Sequence, residues 1–222
     1  MIRATLDEVA AALIKPLPDF SDTAIAAGAV KDYSSHLVVE EQRLVNGMPD
    51  QRIPSFSSGR YFAQQAQSLL DREPVAILRD GRVPVWPAPL SGSITHSRDL
   101  ACAVVCTGAL SIGIDLELSG RVTPKLHRQL FTDREQLKLA QLGADAPTIA
   151  FSAKEAVYKA AFPLFQRFIG FKEVELDLDL ANGTFSATYV GQFEPQKAIN
   201  TGAGYFVLAE DQLIALYVLP RG

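Results

Sequence analysis

The order of hydrophobic patterns along this chain predicts an α+β fold with mostly antiparallel strands. Three observations support this class. Alternating apolar residues flanked by turn residues mark hairpins more often than helical crossovers. Each half of the chain offers about one long amphipathic helix plus several strands, and no linker separates the halves. We therefore expect two tightly packed subdomains, residues 1–108 and 109–222, that form one compact unit.

The composition is that of an ordinary globular protein. Of the 222 residues, 48% are hydrophobic and 21% are charged, which excludes disorder over most of the length. A formal charge of -4 argues against a general nucleic-acid binder. The longest uncharged stretch, Leu100–Ile114, is shorter than the roughly 18 residues that a membrane-spanning helix needs. We therefore expect a cytoplasmic protein without a transmembrane segment.

The two cysteines are expected to be free thiols. Cys102 and Cys106 lie four residues apart on one predicted strand, a separation of about 13 Å that is too long for a disulfide. No histidine lies near them in the sequence, which makes them a poor metal site. Buried free thiols are typical of a reducing compartment.

In the first half of the chain, apolar periodicity and turn residues predict two helices and two short strands. The elements are a short helix over Leu6–Ile14, a strand over His36–Val39, a helix capped by Ser57 or Ser58 that runs to Leu70, a strand over Val75–Leu78, and a loop over 79–90.

Two apolar strands follow, at Leu100–Cys106 and Leu110–Leu118, and residues 107–109 join them in what we interpret as a buried hairpin. The second strand alternates cleanly between two faces. Its apolar face carries Ile112, Ile114, Leu116 and Leu118, and its polar face carries Ser111, Gly113, Asp115 and Glu117.

The second half continues with three helices and two hairpins. The predicted elements are a short helix opened by Thr123-Pro124, a helix with a capping box at Thr132 that ends near Gly143, a long helix over Pro147–Phe162 stopped by Pro163, a hairpin over Val174–Val190 that turns at Asn182-Gly183, and a hairpin of Tyr205–Ala209 with Leu213–Leu219.

Asp115 and Glu117 are the first candidate functional residues. On a strand they face the same way, about 7 Å apart, among serine and glycine. Two carboxylates on such a face can hold a hard cation such as Mg²⁺. The alternative is an ordinary acidic strand face in solvent. We expect this face to be exposed, so that replacing either acid changes stability little.

The long helix carries a second candidate group. Phe151, Glu155 and Lys159 are spaced i, i+4, i+8 and form a stripe beside the apolar face. Glu155 would add a third carboxylate beside a cation able to meet phosphate. A plain surface ion pair is the alternative reading of this spacing.

Phosphate-binding candidates lie earlier in the chain. His96 follows Ser93 and Thr95, whose hydroxyls can also donate to a phosphate. Arg52 and Arg60 flank Phe56, and Arg60 is expected in the first turn of its helix, where the macrodipole disfavours a cation unless an anion binds there. An ordinary loop histidine and solvated arginines are the alternatives.

Taken together in this order and spacing, these segments resemble the 4′-phosphopantetheinyl transferases, of the monomeric two-lobed type that includes the enterobactin synthetase component D branch. The resemblance covers about Arg52 to Lys172, and the role of residues 1–50 stays open. The matching segments are Gly59-Arg60, Pro84-Val85-Trp86-Pro87, Gly92-Ser93-Ile94-Thr95-His96, Gly113-Ile114-Asp115-Leu116-Glu117, and Phe151 to Lys159 running on to Leu164.

The resemblance implies a Mg²⁺-dependent transfer of 4′-phosphopantetheine from coenzyme A to a serine of an acyl or peptidyl carrier protein, with release of 3′,5′-ADP. It also implies a monomer of two similar subdomains packed as a pseudo-dimer, with the active site at their junction. It implies that Asp115 and Glu117 bind the metal, that Glu155 is a third ligand or the catalytic base, and that Lys159 contacts the pyrophosphate. It also implies phosphate contacts for His96 and Thr95, and 3′-phosphate and adenine contacts for Arg52 and Arg60. Either Arg82 or Arg79 would contact coenzyme A.

The sequence departs from the family pattern at two places. Arg79 and Arg82 stand where the family often has lysine, and Thr95 stands where serine is common. Neither change removes a needed chemical group.

The expected partner is an acidic carrier domain, although this protein is itself acidic. Residues 121–138 hold a local excess of positive charge, and a carrier could dock at Arg121, Lys125 and Arg128. Two solvated helices are the alternative. Fatty-acid, polyketide and siderophore (enterobactin-type) carriers all stay open.

Two other functions were weighed against this one. A non-catalytic coenzyme A or nucleotide-binding protein would not need Asp115, Glu117 and Glu155, which are all present. A different phosphoryl-transfer enzyme lacks support because the chain has no Gly-x-x-x-x-Gly-Lys loop.

Overall fold

The computed structural model describes residues 3–6, 17, 22–81, 83–108 and 110–220, and the chain divides into two compact units, Met1–Leu110 and Ser111–Gly222. Each unit combines helices with a mainly antiparallel sheet, which confirms the α+β class and the two subdomains. Within the described residues, no helix is both long and apolar enough to cross a membrane.

The strands are β1 (Arg3–Leu6), β2 (Thr23–Ala29), β3 (Leu78–Asp80), β4 (Val83–Val85), β5 (Ser91–His96), β6 (Leu100–Cys106), β7 (Leu110–Leu118), β8 (Val174–Asp179), β9 (Thr184–Tyr189), β10 (Ala203–Ala209) and β11 (Gln212–Pro220). The α-helices are α1 (Val39–Val45), α2 (Ile53–Leu69), α3 (His127–Leu130), α4 (Asp133–Leu142) and α5 (Ala146–Phe165). Short 3₁₀ segments lie at Ser34–His36, Asp50–Arg52, Pro124–Leu126, Phe171–Glu173 and Glu194–Thr201.

The first unit contains a four-stranded sheet in the order β1-β2-β6-β5. Strand β1 runs parallel to β2, and the β2–β6 and β6–β5 pairs are antiparallel. Helix α2 covers this sheet with Phe62, Ala63 and Ala66, which pack against small and β-branched residues of β2 and β6. Because a Cβ at Gly59 would lie 2.6 Å from Ile94 Cγ2, α2 also passes very close to β5.

The second unit contains a five-stranded sheet in the order β7-β11-β10-β9-β8. The long helix α5 covers it, and its core cluster includes Ala153, Ala156 and Ala160. A Cβ at Gly113 of β7 would overlap the carbonyl oxygen of Ala156. Small residues therefore let the backbones of β7 and α5 come into direct contact. This contact positions the side chains of the candidate site.

Several predicted elements are confirmed. The Thr132 capping box is formed with Glu135, and α4 ends at Gly143 with φ of 104°. The Asn182-Gly183 turn joins the antiparallel pair β8–β9. Both cysteines are buried free thiols.

The structure corrects the prediction for the start of the chain. The strand expected over His36–Val39 is wrong: Ser34–His36 is a 3₁₀ turn and α1 starts at Val39. The β-branched pair at 38–39 suggested a strand, but Glu41 of α1 is fully buried against α2 and fixes this segment as a helix. Beyond Leu6, which lies in β1, the helix expected over Leu6–Ile14 lies outside the described residues.

Helix α2 starts at Ile53 with Pro54 in its first turn, so its N-cap residue, Arg52, lies five or six residues before the predicted one. The cap role expected of Ser57 or Ser58 is therefore wrong. Both serines lie inside the helix, where Ser58 Oγ donates to Lys31 O (2.8 Å) and Ser57 Oγ accepts from Tyr33 N (3.0 Å).

Two further predictions about strands are wrong. Strands β6 and β7 do not form a hairpin, because β6 pairs with β2 and β5 whereas β7 neighbours β11. The strand expected over Val75–Leu78 begins only at Leu78, and the predicted loop over 79–90 contains the β3–β4 hairpin.

Pro163 lies inside α5 and does not stop it. Proline here removes one backbone donor within three residues of the helix end, a loss that the packed helix tolerates. The helix ends at Phe165, and Gln166 takes a left-handed conformation while its N–H donates to Phe162 O (2.8 Å).

Candidate active site

The polar face of β7 lies against α5, contrary to the expectation of an exposed face. Ser111 Oγ donates to Ala160 O at 2.6 Å, and Gly113 lies beneath Ala156. Asp115 is buried, with 5% of its surface exposed. A small-residue strand face next to an alanine-rich helix face packs closely, so Asp115 is buried and Glu117 is partly buried.

Asp115 is tied to α5 by two side chains seven residues apart. Ser152 Oγ donates to Asp115 Oδ2 (2.9 Å), and Lys159 Nζ donates to Asp115 Oδ1 (2.6 Å) and to Ile114 O (3.1 Å). Ser152, Glu155 and Lys159 are spaced i, i+3, i+7, which places them on one side of the helix. Sequence reasoning assigned no role to Ser152, although this spacing pointed to it.

Asp115, Glu117 and Glu155 form one electrostatic cluster. Burial, and then the negative charge of Asp115, raise the pKa of both Glu117 and Glu155. Lys159 opposes this shift at both glutamates. The structure thus brings together the three carboxylates and the lysine that were singled out from the sequence.

The donor set fits a hard divalent cation in chemistry and charge. Three carboxylates supply oxygen ligands, and the repulsion that raises two of their pKa values is what a bound cation relieves. In the described part of the chain, no group of three or more His, Cys, Asp or Glu is already arranged to hold a metal ion.

Lys154, which precedes Glu155 in the sequence, makes contacts different from those of Glu155. Lys154 is buried, and its Nζ donates to Glu135 Oε2 (2.7 Å), Leu130 O (3.1 Å) and Phe171 O (2.6 Å). It therefore fixes α4 and the segment after α5 around the long helix. This structural role was missed in the sequence, where Lys154 carries no distinguishing spacing.

A cavity of about 90 Å³ lies beside Glu155. It is lined by Lys154, Glu155, Tyr158, Phe168, Ile169, Gly170, Phe171 and Val174. The Tyr158 and Phe168 rings stand edge to face, 5.6 Å apart. A carboxylate at the edge of a mainly apolar cavity combines a proton acceptor with space for a substrate group.

In the first unit, Arg60 occupies a different position from the one predicted. It lies in the middle of α2 and not in the first turn, so the helix dipole does not set its environment. Only 6% of its surface is exposed. Burial lowers the pKa of Arg60 to about 10, the Glu41 carboxylate opposes this shift, and the nearby Arg79 cation adds to it.

The other predicted phosphate contacts are spread along the first unit. Arg52 is exposed just before α2. Thr95 and His96 are successive residues of β5 and point to opposite faces: Thr95 is buried and His96 is exposed. Arg79 lies exposed on β3, and Arg82 lies outside the described residues.

The basic stretch over residues 121–138 carries less free charge than its composition suggests. Arg121 lies 3.8 Å from Glu117, Arg134 lies 3.0 Å from Glu175, and Lys138 pairs with Asp177. Lys125 and Arg128 are exposed and form no ion pair with the described residues. They are the cations that remain for a partner.

Comparison with known proteins finds a family match in each of the two units. Residues 40–106 match the 4′-phosphopantetheinyl transferase N-terminal domain, and residues 111–215 match the 4′-phosphopantetheinyl transferase superfamily. The transferase Npt of Nocardia iowensis is 32% identical over 149 residues, which cover 65% of this chain and 67% of Npt. The transferase Svp of Streptomyces mobaraensis is 34% identical over 180 residues, which cover 77% of this chain and 73% of Svp.

Enterobactin synthase component D of Escherichia coli (strain K12) is 36% identical over 107 residues, which cover 47% of this chain and 52% of that protein. The two matched regions fall on the two structural units, and the second region contains the carboxylate cluster with Lys159. The chain therefore belongs to the 4′-phosphopantetheinyl transferases, enzymes that transfer the phosphopantetheine group to carrier proteins.

Proposed function

We propose that this protein transfers 4′-phosphopantetheine from coenzyme A to a serine hydroxyl of a carrier protein, with Mg²⁺ as the metal. The observation that carries the proposal is the group of three carboxylates around Lys159, held between β7 and α5. The serine oxygen attacks the β-phosphorus of the coenzyme A pyrophosphate. The bond from that phosphorus to the bridging oxygen breaks, and 3′,5′-ADP leaves.

In this proposal Asp115 and Glu117 are the residues that would hold the metal, and Glu155 acts as the base for the serine hydroxyl. When bound, Mg²⁺ would neutralise charge on the pyrophosphate oxygens during the displacement. Lys159 contacts the same phosphates, and Asp115 orients it through the 2.6 Å contact to its ammonium group.

Glu155 has the surroundings of a proton acceptor for the serine hydroxyl. Burial and Asp115 raise its pKa, which makes its carboxylate a stronger base. It also lines the cavity that could receive the reacting groups. We propose that Glu155 takes the serine proton. The variant Glu155→Gln should therefore lose turnover even at saturating Mg²⁺.

The direct test is incubation of the purified protein with coenzyme A, Mg²⁺ and a panel of apo-carriers from fatty-acid, polyketide and siderophore synthases. Intact mass should show one phosphopantetheinyl group added to at least one carrier. The similarity to enterobactin synthase component D makes a siderophore peptidyl carrier the first candidate. Failure to modify any carrier under these conditions would contradict the proposal.

Arg60→Ala should reduce the preference for coenzyme A over dephospho-coenzyme A. We propose that Arg60 binds the 3′-phosphate, and a charge-assisted hydrogen bond is worth roughly 1.5–3 kcal/mol, or about 10- to 100-fold in affinity. The measurement is kcat/KM for both donors, with Arg72→Ala, at an exposed arginine without a proposed role, as comparison. Equal weakening for both donors would show that Arg60 does not bind this phosphate.

Reversing Lys125 and Arg128 to Glu should raise KM for the carrier and flatten its salt dependence, because these two cations are exposed and unpaired within the described residues. Arg121 is less suitable for the test than its sequence position suggested, because it pairs with Glu117. The control reverses two other exposed cations that form no ion pair with the described residues, Lys31 and Arg43. A rise in carrier KM in both double variants would mean that net charge alone is responsible.

A further inference from the structure

Glu41 is a fully buried carboxylate for which the proposed reaction has no direct use. It lies in α1 with none of its surface exposed. One of its oxygens accepts from Ile77 N (2.8 Å), and the other accepts from Gln64 Nε2. Its Oε1 also lies 3.9 Å from Arg60 Nε, within ion-pair range but beyond a hydrogen bond. A buried carboxylate is costly without a compensating cation, and Arg60 supplies one.

Arg60 is held in place from three directions. Its Nη2 donates to Leu78 O (3.2 Å), its guanidinium lies 5.0 Å from the centre of the Phe56 ring, and Glu41 lies beside Nε. The buried Nε has no hydrogen-bond partner among the described residues. A guanidinium has five N–H donors, so most of its donors are left for a ligand.

Arg79 makes the position of Arg60 depend on Glu41. The two arginines are close enough that the charge of Arg79 disfavours the charged form of Arg60, whereas Glu41 favours it. Without a negative charge at residue 41, Glu41 would no longer offset the repulsion between the two cations. Among the described residues, the Leu78 carbonyl and the Phe56 ring would then remain as its contacts.

We propose that Glu41 is a positioning residue that holds the Arg60 guanidinium in the orientation in which it binds the 3′-phosphate of coenzyme A. This inference rests on the proposed function, in which Arg60 binds that phosphate. Glu41 itself does not touch the donor. It sets the selectivity for the phosphorylated donor through Arg60.

The test is Glu41→Gln, assayed with coenzyme A and with dephospho-coenzyme A. Glutamine keeps an oxygen for Ile77 N, and the Gln64 amide can flip to accept from the new amide group. We expect the ratio of kcat/KM for the two donors to fall roughly five- to tenfold towards the value of Arg60→Ala, with kcat on dephospho-coenzyme A almost unchanged.

Gln67→Ala is the matched structural control. Gln67 is buried on the same helix and holds the same segment, through Val75 N (2.8 Å) and Val75 O (3.1 Å), without contact to Arg60. It should lower stability and leave the donor ratio unchanged. An unchanged ratio in Glu41→Gln would make Glu41 purely structural, and a raised ratio would show that it competes with the phosphate for Arg60. Either result overturns the proposal.

A second measurement on the unmodified protein covers the case in which Glu41→Gln fails to fold. The Arg60 Nε–H resonance, identified by its loss in Arg60→Lys, should exchange slowly with water and shift on addition of 3′,5′-ADP but not of 5′-ADP. Exchange as fast as in free arginine would overturn the proposal. If the unmodified protein transfers nothing from coenzyme A, the proposed function fails instead, and the response of this resonance to 3′,5′-ADP still reports whether Arg60 binds a 3′-phosphate.

Discussion

Replacing Asp115 by Asn should reduce transfer by a factor on the order of 10²–10³ or more, comparable with the loss of one pre-organised electrostatic group in other enzymes. The substitution removes a negative charge from the proposed metal site and from the carboxylate that orients Lys159. The measurement is the rate of carrier modification across a range of Mg²⁺ concentrations.

The same variant should also be less stable than the unmodified protein, by about 1–3 kcal/mol. Asp115 is buried and accepts from Ser152 and Lys159, so the earlier expectation that this acid sits on an exposed face no longer holds. Asp177→Asn is the matched control, because that acid pairs with Lys138 on the exposed surface of the same unit. It should leave both activity and stability nearly unchanged.

Unimpaired turnover of Asp115→Asn at limiting Mg²⁺ would contradict the metal-site assignment. A loss of stability with full activity would reduce Asp115 to a structural residue. Loss of activity in a folded protein, verified by its circular dichroism, is the outcome that the account requires.

Gly113→Ala should both destabilise the second unit and remove activity. The new Cβ would overlap the carbonyl oxygen of Ala156 and lie 2.6 Å from Ala160 N, and these are backbone atoms of a packed helix. Overpacking of this kind costs about 3 kcal/mol, a fall in Tm of roughly 6–12 °C for a chain of this length. Relief of the clash would move β7 from α5 and separate Asp115 from Lys159.

Gly108→Ala is the control for this substitution. Its nearest neighbour would be an Asp22 carbon at 3.7 Å, an ordinary van der Waals contact. Thermal unfolding and transfer assays of the two variants should therefore diverge. Equal stability for Gly113→Ala and Gly108→Ala would show that β7 and α5 are not as closely packed as described.

Local interactions explain which elements the sequence predicted well. The Asn182-Gly183 turn and the Thr132 capping box each depend on residues within four positions of one another, and both are present. Elements that depend on distant residues were predicted less well. The partner of β7 is β11, about a hundred residues later, and nothing within Leu110–Leu118 identifies it.

Competition between local and distant contacts accounts for the errors in the first unit. Ser57 and Ser58 are favourable cap residues, yet their hydroxyls bind the backbone of Lys31 and Tyr33, and the helix begins upstream of them. The buried Glu41 likewise turns an apparent strand into α1. Both contacts join residues more than twenty positions apart.

The sequence identified which residues form the candidate site, but not how deeply they are buried or which distant residues they contact. The strand and helix spacings identified Asp115, Glu117, Glu155 and Lys159, and the structure groups them. The burial of Asp115 and the carboxylate beside Arg60 required the packing of elements far apart in sequence. Such contacts leave no periodic pattern in the chain.

The most direct test of the central claim measures both products of one reaction. The protein is incubated with coenzyme A, Mg²⁺ and an apo-carrier, and the modified carrier and 3′,5′-ADP are quantified together by mass spectrometry. The account predicts equal amounts of both products, attachment at a serine, and loss of both in Asp115→Asn and after removal of Mg²⁺ by chelation. Release of 3′,5′-ADP without carrier modification, or modification that persists in Asp115→Asn without Mg²⁺, would contradict it.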